Sequence, residues 1–156
     1  MRKINLGQSM LELLMAVAIV GIVLIALVSL STKSIGNTTF SSNKSRATRL
    51  TQEASEWIRN ERDTNWSNFV VRANLGVDNL YCLPGLTGWP GVGACDSTQK
   101  IVGTEFIREV TLRGLDEQGG DGVIDTVSVG VVTYWLDGVG RHEARTTTLL
   151  TNWKNN

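Results

Sequence analysis

Gly7-Gln8-Ser9-Met10-Leu11-Glu12-Leu13-Leu14-Met15-Ala16-Val17-Ala18-Ile19-Val20-Gly21-Ile22-Val23-Leu24-Ile25-Ala26-Leu27-Val28 is the stretch from which the rest of the chain is read. From Leu13 to Thr32 there is no charge in 20 residues. At about 1.5 Å per residue, a helix of that length just crosses a bilayer core of about 30 Å. Arg2 and Lys3 precede the run and Lys33 follows it closely, so the positive-inside bias places the N-terminus in the cytoplasm and residues 33–156 outside. One carboxylate, Glu12, stands near the start of the apolar run. A charge at the centre of a spanning helix costs roughly 2.5–3.5 kcal/mol, and less near the interface, so an acid here asks for a function and a partner.

Cutting the chain between Gly7 and Gln8 would supply that partner, because the new α-amine would lie four residues before Glu12, the spacing at which helical neighbours meet. Within one subunit the pair would join i and i+4. Between staggered subunits, Glu12 of one chain would neutralise the amine of the next and fix the register of a helical array. These residues resemble the class III signal of type IV pilins and pseudopilins: a short basic leader ending in Gly7, an uncharged residue after it, Glu as the fifth residue of the mature chain, and then about 20 apolar residues.

The resemblance implies that a prepilin peptidase cleaves after Gly7 and N-methylates Gln8, and that the helix is both membrane anchor and filament core. It implies as partners other pilin subunits, the prepilin peptidase and the pilus assembly platform. It also implies a location: the cytoplasmic membrane, single-pass with the C-terminal head outside, then an extracellular or periplasmic filament. Two positions depart from the family pattern. Gln8 stands where most pilins have Phe, and an N-terminal Gln also cyclises with loss of its charge. Ser29 stands where many have a helix-breaking Pro, so any unwinding would fall at Gly21 or Gly36. An ordinary secretory signal has a shorter apolar region of about 7–15 residues and no acid in it. A plain uncut anchor carrying an unrelated outer domain is the other reading.

The chain has 156 residues, with 15 basic against 15 acidic. Loss of residues 1–7 would leave 13 against 15, a net charge of −2. Nothing in this balance points to nucleic acid as a partner through phosphate neutralisation. With a leader at 1–7 and a helix at 8–62, the remaining residues 63–156 suffice for one small domain.

Beyond Thr32 the helical period continues. Phe40, Ala47, Leu50, Ala54, Trp57 and Ile58 form an apolar stripe, with Lys44, Arg46, Arg49, Glu53, Glu56 and Arg59 on the other sides. A helix from Gln8 to Arg62 would be roughly 83 Å long: a membrane segment at about 13–32, then an amphipathic half. Asp63-Thr64-Asn65 ends it. Residues 63–100 read as a loop region punctuated by Gly and Pro. Cys82 and Cys95 lie outside the membrane, where thiols oxidise, and allow one disulfide. A β-meander fills 101–156, with strands expected at Phe106 to Leu112, Val123 to Trp135 and Glu143 to Trp153 and a hairpin at Leu136-Asp137-Gly138-Val139-Gly140. The fold class is therefore α+β: a long N-terminal helix packed on a small antiparallel sheet, the element order of a pilin head.

Asp116-Glu117-Gln118-Gly119-Gly120-Asp121-Gly122-Val123-Ile124-Asp125 partly matches an EF-hand loop. Asp116, Asp121 and Asp125 are weak calcium candidates, because the ligand spacing is incomplete and no Glu closes the loop; the plain reading is a solvated turn. His142, the only histidine, reads as an exposed strand-end residue, with no nucleophile motif to accompany it. Most of the five tryptophans read as core or subunit-contact residues, and Trp89 in its Pro/Gly loop is the one to test as an exposed contact. Arg62-Asp63-Thr64-Asn65-Trp66 and Thr146-Thr147-Thr148-Leu149-Leu150-Thr151-Asn152-Trp153 are similar to segments of minor pilins named pilus modification proteins. The expectation is a non-enzymatic subunit, minor in type, of a type IV pilus (fimbrium) or a type II secretion pseudopilus. The alternative is a membrane-tethered extracytoplasmic binding module that does not polymerise and binds calcium at 116–125.

Overall fold

The computed structural model describes residues 6–117 and 120–153. Residues 1–5 of the expected leader, Gln118 and Gly119 of the acidic loop, and Lys154 to Asn156 lie outside the described residues. In order come α1 (Leu6–Thr64), α2 (Trp66–Val70), β1 (Asn79–Cys82), β2 (Ile107–Leu115), β3 (Thr126–Leu136) and β4 (Arg141–Thr151). This is an α+β arrangement, a long N-terminal helix with a four-stranded antiparallel sheet in the order β1-β2-β3-β4. The chain divides into two compact units, residues 1–42 and 43–156.

In the first unit α1 is long and apolar enough to cross a membrane. Gly21 and Gly36, the expected points of unwinding, both lie within the helix with open space where a Cβ would stand. Thr32 Oγ1 donates to Val28 O at 3.0 Å and Thr38 Oγ1 to Ser34 O at 2.9 Å. The hydroxyls thus satisfy themselves on the preceding turn.

In the second unit the helix buries Ala47, Thr51, Ala54, Ser55 and Ile58, spaced so that all five share one face. The stripe begins later than the sequence suggests. Phe40, in the first unit, is 45% exposed, whereas Leu50 and Trp57 flank the buried face. Small side chains let the helix backbone approach the sheet, and Thr51 Oγ1 uses that closeness to meet Thr133 Oγ1 at 2.9 Å.

The expected loop at 63–100 holds two short elements. Asn65 does not simply end α1; its side chain accepts from the Asn68 amide at 2.9 Å and caps α2. α2 places Phe69 in the core, and β1 adds a fourth strand on β2. Elements of five and four residues are too short to show a period.

The sheet alternates as its sequence demands. Phe106, Val110, Leu112, Val127, Val129, Val131, Trp135, Ala144 and Leu150 are buried, the valines, leucines and Phe106 each contributing about 1.5–3 kcal/mol on a full-burial scale. β2 and β3 pair without a break from Ile107↔Tyr134 to Leu115↔Thr126, and β3 and β4 from Thr126↔Thr151 to Leu136↔Arg141. The β3–β4 hairpin forms where expected, with Asp137 Oδ1 accepting from the amides of Val139 at 2.8 Å and Gly140 at 3.1 Å. Those bonds hold the Asp137 carboxyl below its usual range, the Val139 amide first among them, with His142 helping.

Candidate functional site

Met10 to Leu30 present apolar side chains that nothing in the first unit covers, the large ones being 50–73% exposed. By the ordinary logic of folding such a surface requires an apolar surrounding, either lipid or other helices. Glu12 sits among them, exposed on the helix. Gly7 and Gln8 lie at the start of α1, so Gln8 precedes Glu12 by one helical i to i+4 step.

Cys82 and Cys95 form the disulfide, with Cα atoms 4.8 Å apart. The bridge holds the 83–105 segment against the sheet: the Cys95 amide donates to Glu109 Oε1 at 2.9 Å.

The acidic loop spends its carboxylates on its own backbone. Asp116 accepts from the amides of Gly120 and Gly122, both at 2.9 Å; Asp121 accepts from Val123 at 3.0 Å; Asp125 accepts from Glu117 at 3.0 Å. Among the described residues no group of three or more His, Cys, Asp or Glu side chains is placed to hold a metal ion. Asp116, Asp121 and Asp125 thus each accept backbone amides within the described part of the turn.

His142 stands at the start of β4 as expected, but it is only partly exposed. Its ring lies 5.3 Å from Trp135, and Nε2 is 2.9 Å from Asp137 Oδ2 across the hairpin. Trp89 follows the reading of the other tryptophans as core residues. Instead of pointing outward it packs against the core with ring centres 4.9 Å from Trp57 and 5.2 Å from Tyr81, and its Nε1 donates to Glu61 Oε2 at 2.9 Å. The neighbouring Tyr81 hydroxyl donates to Arg72 O at 2.7 Å, and burial pushes its pKa up. The Pro/Gly loop is what lets so large a ring fold back onto the helix. The tryptophan that does stand out is Trp153, 57% exposed.

Trp153 brings together the segments 62–66 and 146–153. Its Nε1 donates to Asp63 Oδ1 at 2.9 Å, and the same oxygen accepts from Arg62 Nε at 2.8 Å. The end of α1 and the end of β4 thus meet around a cavity of about 200 Å³.

Arg108 is the residue that sequence reasoning passed over. It lies on the core face of β2, 2% exposed, with Nε donating to Leu83 O at 3.1 Å and Nη1 to Leu50 O at 3.0 Å. Burial pushes its pKa down, and Glu53, 3.5 Å away, opposes that. The signal was present: Arg108 alternates with Phe106, Val110 and Leu112 on the inward side, and a cation there must find acceptors. Comparison of the chain with protein-family models, curated proteins and solved structures finds no match.

Proposed function

We propose that the chain is a structural, non-enzymatic subunit, of minor type, in a type IV pilus or secretion pseudopilus, assembled through its N-terminal helix after removal of residues 1–7. The observation that carries this reading is the uncovered apolar surface from Met10 to Leu30 with a single carboxylate, Glu12, at its start. Lipid alone would satisfy the apolar side chains, but as long as residues 1–7 remain it would leave the carboxylate unpaired at a cost of up to roughly 3 kcal/mol, depending on depth. Packing against neighbouring helices satisfies both, provided each Glu12 meets a new α-amine on Gln8. Assembly then exchanges lipid for subunits, and the acid penalises every stagger that leaves it alone. The segments 62–66 and 146–153, on which the minor-type reading rests, meet through Asp63 and Trp153.

The test is intact mass followed by shearing. Protein isolated from its own host lacks residues 1–7, with or without one added methyl on Gln8, and shearing releases it in a filament fraction. Glu12→Ala inserts in the membrane but is not released. Filaments built from uncut chains, or from Glu12→Ala, overturn the proposal; a full-length, never-sheared chain identifies a tethered module instead.

A further inference from the structure

Asn37-Thr38-Thr39, Asn43-Lys44-Ser45 and Asn65-Trp66-Ser67 each have the form Asn-X-Ser/Thr. With any middle residue but Pro, this is the pattern of an acceptor for N-linked glycan on an exported surface. The fold separates the three. Asn37 and Asn43 lie inside α1, where residues i and i+2 do not face each other, so the hydroxyls of Thr39 and Ser45 are held across the helix from the carboxamides they accompany. Asn65 lies in the break between α1 and α2, with an extended backbone at φ −159° and ψ 103°. Both Asn65 and Ser67 are exposed.

The Asn65 carboxamide is held with its oxygen engaged and its nitrogen available. Oδ1 accepts from the Asn68 amide at 2.9 Å, while among the described residues no acceptor takes up Nδ2. An amide nitrogen is a poor nucleophile until it gives up a proton, and a donor on the amide oxygen polarises the group and makes its N–H more acidic. Asp63, two positions ahead, gives this tripeptide a carboxylate, where Ile35 and Ser41 stand before Asn37 and Asn43. That charge is one by which a transferase with a cationic acceptor groove distinguishes it from the other two. Beside it lies the cavity of about 200 Å³ whose walls include Thr64, Ser67 and the exposed Trp153, room for a first sugar with an aromatic face to rest on.

We propose that Asn65 is a site of N-linked glycosylation, its donor a saccharide carried on a polyprenyl pyrophosphate. Nδ2 forms a bond to the anomeric carbon of the saccharide. The bond from that carbon to the pyrophosphate oxygen breaks, its electron pair leaving on the pyrophosphate, and the proton lost from Nδ2 passes to a carboxylate of the transferase. Transfer requires of the proposed function only that residues 33–156 lie outside the membrane. Trypsin cuts after Arg62 and Arg72, and mass spectrometry of the freed peptide, residues 63–72, from protein isolated from its own host tests the site. The expected peptide carries the added mass of a saccharide, placed on Asn65 by electron-transfer fragmentation. The addition is lost completely from Asn65→Gln and from Ser67→Ala and is kept in Ser67→Thr. Ser67→Ala leaves the Asn65 cap in place and carries the test if Asn65→Gln disturbs the fold. An unmodified peptide, a sugar on Ser67, or wild-type occupancy in Ser67→Ala overturns the proposal. When the unmodified peptide comes from chains that have lost residues 1–7, the glycan site falls and the filament reading does not.

Discussion

Replacing Arg108 by Met keeps most of the side-chain volume and removes the guanidinium, so it separates hydrogen bonding from packing. Two opposing terms decide the outcome. Leu50 O lies inside α1 and keeps its helical partner, but Leu83 O, in a residue 1% exposed, loses the Arg108 Nε donor. Hydrogen bonds to a charged donor contribute about 1.5–3 kcal/mol, and a buried carbonyl left without a donor costs about 1–3 kcal/mol. Against this, Met spares the dehydration of a buried cation, a penalty of several kcal/mol offset in the native state only when acceptors are well placed. The ion pair adds little: at 3.5 Å to a Glu53 side chain 59% exposed, it belongs with surface pairs of about 0–1 kcal/mol. The expected net loss for Arg108→Met is about 2 kcal/mol, or roughly 8 °C in Tm for a unit of this size, and Glu53→Gln stays within about 0.5 kcal/mol of wild type. Thermal unfolding of the full chain in micelles, followed by near-ultraviolet circular dichroism of the buried aromatics, measures both. A Met variant as stable as wild type would refute the reasoning, because dehydration would then outweigh the two carbonyl contacts.

Reduction of Cys82–Cys95, which closes a short loop of sequence separation 13, lowers stability by about 3 kcal/mol on the chain-entropy scale; an unchanged Tm after phosphine treatment contradicts this. Gly114→Ala drives a Cβ into Ile124 and costs about 1–3 kcal/mol in a urea titration. At Gly130 a Cβ would meet nothing closer than Thr111 Cβ at 3.8 Å, so Gly130→Ala costs nothing measurable in the same titration. Trp89→Phe keeps a ring against Trp57 and Tyr81 but gives up the bond to Glu61, for a loss of about 1 kcal/mol. Asp137 has a folded pKa below its unfolded one, so its contribution is complete above the unfolded value of about 3.9 and disappears as pH falls through the folded value. The protection of the Val139 amide, its exchange rate divided by the intrinsic rate at each pH, falls over that acid window in wild type and is low throughout it in Asp137→Ala.

The parts of the fold that repeat are the parts the sequence announces. Leu13 to Thr32 can be read from composition alone, and Val127, Val129 and Val131 declare a strand by alternation. The helix stripe was legible at Ala47, Ala54 and Ile58 but not at Thr51 and Ser55, because a hydroxyl becomes a core residue only when a partner such as Thr133 stands opposite. Trp89 and β1 were hidden because a Pro/Gly segment takes its shape from what it lands on rather than from its own period. Glu12 is conspicuous in one dimension, since it is one acid in an apolar run, and with Gly7 and Gln8 it is the sequence feature on which the proposed function rests. The tripeptide at Asn65 can be read off the chain, but so can those at Asn37 and Asn43, and only the fold shows which of the three stands outside a helix.

The helix that opens the second unit packs on the strand that ends it: Lys44 Nζ donates to Glu143 O across 99 positions of chain, and Thr51 Oγ1 reaches Ala144 O across 93. A ribosome delivers these partners far apart in time. Until β4 emerges, the helix face at Ala47, Thr51 and Ala54 has no finished sheet to rest on, so the unit closes late, after almost the whole chain is made. Such non-local topologies fold slowly, because the entropy of closing a long loop is lost before the contacts compensate. A truncation that removes β4 should therefore leave nascent chains vulnerable to proteolysis throughout the second unit, rather than producing a unit that merely lacks one edge.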